Sequence, residues 1–240
     1  MNPMIKDRPA PLRPAGGGKG PGPAILEKGA DLVQEAAPLR DFDVYVVGFH
    51  CAKGEPDTQM EAHHYCRMVN ADLLQCVLFD GNTRAANLIG IEYIVSEMLF
   101  ESLPEAERAY WHPHNYEILS GQLVAPGLPD TAEKAFLELL VNSYGKTWHT
   151  WHTGRHDSGP GDPLPMGEPK LMWSFNRDGE CAESLRRDRD EAMELDTAAK
   201  REQRREFARL ARPQHGVDAM RDQFTGTTSV AGVVDVREAG

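Results

Sequence analysis

Met60-Glu-Ala-His-His-Tyr-Cys-Arg-Met-Val69 alternates along its whole length, and that alternation decides how the rest of the chain is read. On an extended strand Met60, Ala62, His64, Cys66 and Met68 share one face, and Glu61, His63, Tyr65, Arg67 and Val69 the other. Residues 44–49 upstream and 73–79 and 88–95 downstream have strand length and composition, the last two joined by a polar turn at 80–82. The same reading predicts strands at 116–124, 146–153, 171–175 and 229–236. Ser102-Leu-Pro-Glu105 has the spacing of a capping box and opens a helix to Tyr110. Asp130-Thr-Ala-Glu133 opens a second helix, with Phe136, Leu139, Leu140 and Tyr144 on one face and Gly145 just past its end. Gly145 is therefore expected in a left-handed conformation, and Gly145→Val is expected to cost roughly 1 kcal/mol or more. Strands and helices without steady βαβ alternation imply an α+β fold with a largely antiparallel sheet and helices packed on it.

The ends of the chain differ from its middle. Residues 1–23 are dense in proline and glycine, which predicts a flexible tail whose deletion leaves the melting midpoint nearly unchanged. A short amphipathic helix is expected at 25–36, with Ile25, Leu26, Leu32, Val33 and Ala36 as a stripe that must dock on something. The main domain is placed at 24–178. In 179–240, interleaved charges from Glu180 to Arg212 predict one long, exposed C-terminal helix, followed by a closing strand and packed on the main domain.

With 240 residues, 40% of them apolar, the chain has enough material for a sizeable core. A net charge of −11 and the lack of a basic stripe argue against nucleic acid as a partner, and an anionic membrane surface would repel the chain. No apolar run approaches the ~20 residues of a spanning helix. Cys51, Cys66, Cys76 and Cys181 show no CxxC spacing, so they are read as reduced, buried thiols of a soluble cytoplasmic protein.

Eight of the nine histidines fall between His50 and His156, in three groups with acidic and aromatic neighbours: Glu61-Ala-His63-His64, Trp111-His112-Pro-His114-Asn-Tyr-Glu117, and Trp148-His149-Thr-Trp151-His152. Mixed imidazole and carboxylate sets suit zinc, iron, manganese or copper. None of the spacings is HExxH or a zinc-finger pattern, and a histidine beside aromatic residues is often only a satisfied core group. If the first segment is a strand, Glu61 and His63 share a face and His64 points away; if it is helical, Glu61 and His64 align. Extended, His112 and His114 share a face; if a helix continues through them, His114 and Glu117 align instead, and Pro113 favours the extended form. The reading settles on one divalent transition metal (Zn, Fe or Mn) held by His63, His112, His114 and Glu117, with Glu61 as catalytic base or as a hydrogen-bond acceptor behind a ligand. There is no GxGxxG after a strand, no Walker-type loop and no GxSxG elbow.

Several of these stretches together resemble one known family. Glu61-Ala-His-His-Tyr65, Leu74-Gln-Cys-Val77, Leu88-Ile-Gly-Ile-Glu-Tyr-Ile-Val-Ser96, Trp111-His-Pro-His-Asn-Tyr-Glu-Ile118, Pro126-Gly-Leu-Pro129, Tyr144-Gly-Lys-Thr-Trp148 and Leu164-Pro-Met-Gly-Glu-Pro169 occur in the order found in oil body-associated proteins. That family is described in plant seeds and has relatives in fungi and bacteria. The resemblance implies a structural role or one at the surface of a lipid droplet, and it implies no enzyme activity or ligand residues. A homo-oligomer is left open. The competing reading, from the histidines alone, is a metal-dependent enzyme acting on a small molecule.

Overall fold

In the computed structural model, which describes residues 5–34, 37–154 and 160–238, the alternating segment is the long strand β2 (Glu55–Asn70). It pairs antiparallel with β1 (Val44–Ala52) on one side and β3 (Leu73–Phe79) on the other, and β3 pairs with β4 (Leu88–Val95). β4 then pairs with β6 (Tyr144–His149), β6 with β7 (Lys170–Trp173), and β7 returns to β1. The strands thus close into an antiparallel barrel, and the two-residue β5 (His112–Pro113) adds to the start of β6. Closure removes the unpaired edges that an open sheet of these strands would leave. The predicted antiparallel sheet is present, rolled up.

Before the barrel lie α1 (Pro21–Val33) and α2 (Ala37–Arg40); after β4 come α3 (Glu97–Ser102) and α4 (Glu105–Arg108). Ser96 caps α3 through its side chain; α4 lies within the helix expected up to Tyr110, but Ser102 ends α3 instead of capping that helix, and Pro104 precedes α4 with no side-chain cap. Residues 116–124 are not a strand. α5 (Asn115–Leu119) occupies their start, and only a bridge between Val124 and Val47 remains extended. α6 (Asp130–Leu140) begins where predicted. Leu123, Phe136 and Leu140 enter one end of the barrel and close it with apolar side chains. In 229–236 the chain makes one bridge, from Asp235 to Gln214, in place of a strand.

The long charged helix is not formed. Its segment divides into α7 (Glu183–Met193), α8 (Thr197–Gln203) and a 3-10 turn over Arg205–Arg209. Glu194 takes a left-handed conformation (φ 54°) after α7, and the Asp196 side chain caps α8 by accepting from the Ala199 N–H. The reason for the break is burial. Arg189 is fully enclosed, donating to the Gln122 carbonyl (3.0 Å) and Thr197 Oγ1 (2.7 Å) with its guanidinium over the Phe49 ring. Arg204 donates to the carbonyls of Ile118 and Leu123 and pairs with Glu133. Charges that composition assigns to solvent instead fasten the segment to α5 and α6, which a straight helix would carry out of reach.

Two further expectations change. Cys66 and Cys76 face each other across β2 and β3 and are joined by a disulfide, so they are not reduced thiols. The described part of the N-terminal segment lies along the β3–β4 turn: the Arg8 carbonyl accepts from the Asn82 N–H (2.9 Å), and the Leu12 carbonyl accepts from Asn87 Nδ2 (2.9 Å). α1, expected to dock, does not. None of its described residues is buried, and Ile25, Leu26, Leu32 and Val33 are all at least 70% exposed. No described helix is long and apolar enough to cross a membrane.

Candidate metal centre

Strand alternation sends His50 of β1, His64 and Cys66 of β2 and Glu92 of β4 into the barrel. His112 of β5 and His114 follow at the start of α5, where β5 pairs with β6 and lays them over the same interior. His112 and Pro113 are extended, but His114 is not: it turns into the helical region (φ −108°, ψ −9°) as the residue before α5, so the expected extended pair holds only for His112. All six of these side chains are buried.

Hydrogen bonds made away from the centre fix which ring nitrogen faces it. His64 Nδ1 lies 3.1 Å from the Ala62 carbonyl, which can only accept, so that nitrogen carries the proton. His64 Nε2 then turns a lone pair toward Glu92 Oε2 at 2.8 Å. His114 Nδ1 lies 2.8 Å from Ser143 Oγ, whose own hydrogen goes to the Leu140 carbonyl. Again Nδ1 donates, and His114 Nε2 faces Glu92 Oε1 at 3.3 Å. At both contacts nitrogen and carboxylate need a positive charge between them, from a proton or a metal cation.

His112 has donor atoms to spare. It is fully buried, and neither ring nitrogen has a hydrogen-bond partner; Nε2 is 3.5 Å from Glu92 Oε1 but not aligned with it. Burial lowers the pKa of His112 and keeps it neutral. Burial also disfavours charge on Glu92, but the surrounding imidazoles outweigh it and hold the carboxyl well below the usual range. The result is an ionised carboxylate ringed by imidazoles, of which His50 and His112 are held neutral by burial. Atoms bound at about 2.0–2.1 Å to a tetrahedral metal sit roughly 3.3 Å apart, which the 3.3 and 3.5 Å separations match. Glu92, His112 and His114 each offer an atom within 4.8 Å of the others, and so do His50, His64 and Glu92.

Gly145 makes this convergence fit. A Cβ there would lie 2.2 Å from Glu92 Oε1 and 2.6 Å from both His112 Nε2 and His114 Nε2. The glycine sits inside β6 with no positive φ, and α6 ends earlier, at Leu140. It leaves room for the cluster; it does not end a helix.

Of the residues singled out from sequence, the fold brings together His112, His114 and Glu117. Glu117 Oε2 is 3.9 Å from His114 Nε2, and burial, with Glu92 nearby, raises its pKa so that it stays protonated. The structure does not bring in His63 or Glu61. Both lie on the outer face of β2, where His63 Nε2 is 2.8 Å from Glu61 Oε1 and His63 Nδ1 is 2.7 Å from Tyr45 Oη. Arg8 covers that pair, donating Nη2 to Glu61 Oε2 (2.7 Å) and Nε to Oε1 (3.0 Å). Sequence reading left His64, His50 and Glu92 out of the ligand set and took Gly145 for a helix stop. A single acid inside the apolar run at 88–95 was the available signal, because a buried charge demands partners.

Comparison with known proteins adds the lineage. Residues 36–208 match the family described as a protein of unknown function (DUF1264). The chain is 39% identical over 196 residues to oil body-associated protein 1A of Zea mays, covering 82% of this chain and 79% of that one. It is 47% identical over 151 residues to oil body-associated protein 2B of Arabidopsis thaliana, covering 63% and 59%.

The chain belongs to the oil body-associated protein family.

Oil body-associated protein 1B of Arabidopsis thaliana is 33% identical over 196 residues, covering 82% of this chain and 78% of that one. No solved structure matches the chain. The family match takes in every strand of the barrel and every donor of the cluster; Arg8 and α1 lie outside it.

Proposed function

We propose that this member of the oil body-associated protein family binds one divalent transition metal, zinc, iron or manganese, inside its barrel through Glu92, His64, His112 and His114, with His50 and Glu117 beside them. The observation that carries the reading is the turn of the His64 and His114 Nε2 atoms and the partnerless His112 ring toward a single buried carboxylate. Ser143 and the Ala62 carbonyl act as the outer hydrogen-bond partners that orient metal-binding imidazoles. The cavity beside the cluster measures about 10 Å³, room for a water-sized species and not for an organic substrate. That favours an ion that ties the strands together over one that turns over a bulky small molecule.

An ion bound only by the folded state adds about 2.7 kcal/mol at 100 times its dissociation constant. The wild-type melting midpoint should therefore rise by several degrees with zinc, manganese or iron and fall with chelator, while His114→Ala should respond to neither. If the protein purifies without metal and no added ion moves the wild-type midpoint, the reading fails.

A second reading comes from the relatives' names and is favoured by α1. We infer that this chain also meets a neutral lipid surface through Ile25, Leu26, Leu32 and Val33, the exposed stripe of that helix. A net charge of −11 makes an uncharged oil phase a better match than an anionic bilayer. Leu26→Ser/Leu32→Ser should leave the melting midpoint within a degree of wild type and reduce flotation with a triacylglycerol emulsion severalfold. Undiminished flotation would remove α1 from this role.

A further inference from the structure

At the end of the barrel away from α5 and α6, a cavity of about 410 Å³ is lined by Met60, Met166, Met172, His149 and His152. Met60 and His149 project from β2 and β6 into the interior, and Met60 Sδ lies 2.7 Å from His149 Nδ1. On its other side, His149 Nε2 is 3.4 Å from His50 Nδ1. Three thioethers and two imidazoles surround the opening, with Asp162, Glu168 and Lys170 also on its lining; the thioethers are what set it apart from the cluster deeper in the barrel. Thioether sulfur is neutral and polarisable; it binds hard divalent ions weakly and monovalent copper well.

We propose that this cavity holds a second metal site, selective for monovalent copper, with Met60 Sδ and His149 Nδ1 as its first ligands and Met172 and Met166 as the sulfurs that complete it. Copper(I) has a filled d shell and accepts two or three ligands without a fixed geometry, so a thioether and an imidazole are enough to hold it. An ion bonded at about 2.0 Å to nitrogen and 2.3 Å to sulfur would part the two atoms by roughly 1 Å, which the unbranched Met60 side chain can supply. The site does not depend on the divalent ion proposed for the Glu92 cluster, since it shares no donor with Glu92, His64, His112 or His114.

The test is anaerobic competition for copper(I) between the full chain and a chromophoric copper(I) chelator, with zinc content measured in parallel. Wild type should retain one copper(I) per chain, Met60→Leu should bind at least tenfold more weakly, and X-ray absorption of the wild-type complex should show sulfur in the first shell. His114→Ala should keep the copper(I) while losing zinc, and Met60→Leu should keep the zinc, so that failure at one site is read separately from failure at the other. Wild type without competitive copper(I) binding, an unchanged Met60→Leu, or copper lost in His114→Ala or in Cys51→Ser/Cys181→Ser instead would each overturn the proposal.

Discussion

Gly145→Ala should yield a protein that takes up no divalent metal and unfolds about 2 kcal/mol more easily than wild type. The added methyl would lie 2.2 Å from Glu92 Oε1 and 2.6 Å from His112 Nε2 and His114 Nε2, inside the contact distance of all three. β6 is held on one side by β4 and on the other by β5 and β7, so the backbone cannot move away without breaking the barrel. The side chains must yield, and they carry the donor atoms. Metal content of the purified variant and its melting shift with zinc are the measurements. Gly145→Ala/Glu92→Ala should recover much of the lost stability, because the methyl would then fill space the carboxylate leaves, but it should not recover metal. One equivalent of tightly held zinc in Gly145→Ala would sink both the site and the role given to the glycine. The cost expected from sequence for Gly145→Val remains, with crowding at the cluster as its cause.

Arg8→Ala should destabilise by about 3 kcal/mol, the usual cost of stripping one partner from a buried ion pair. Arg8 is 6% exposed and Glu61 is fully buried, so the carboxylate would be left against His63 without its main countercharge. The more exposed Asp188, which also meets the Arg8 guanidinium, would stay hydrated and lose little. Urea denaturation reads the difference. Arg8→Ala/Glu61→Gln should regain more than half of it, since the second change removes the stranded charge. Deleting residues 1–23 removes Arg8 too and should cost a similar amount, where composition alone predicts no change. A neutral Arg8→Ala would show that the segment does not pack as described.

Strand positions were legible because alternation and strand length are local properties. β1, β2, β3 and β4 lie close to where the pattern puts them. Closure of the barrel was not legible, because it depends on β4 meeting β6 across about fifty residues. The same holds for His63 and His64. They are adjacent, one must face in and the other out, and only the register with β1 and β3 decides which. His112, His114 and Glu117 could be singled out because their donors crowd one short segment. Glu92 was hidden as one acid in an apolar strand, and Gly145 imitated a helix stop. Arg8 shows the opposite failure: composition describes a segment on average and is silent on one residue that inserts.

The donors of the cluster come from strands far apart in the chain, and β4 and β6 bring them into register only when they pair. A half-formed barrel therefore presents scattered imidazoles, and an ion has nothing to organise until the last seam zips. Loading and release of the proposed ion would then wait on that seam parting. An ion inside would exchange on the clock of local strand opening, which is set by the cooperativity of the wall and not by the strength of any single bond to the metal.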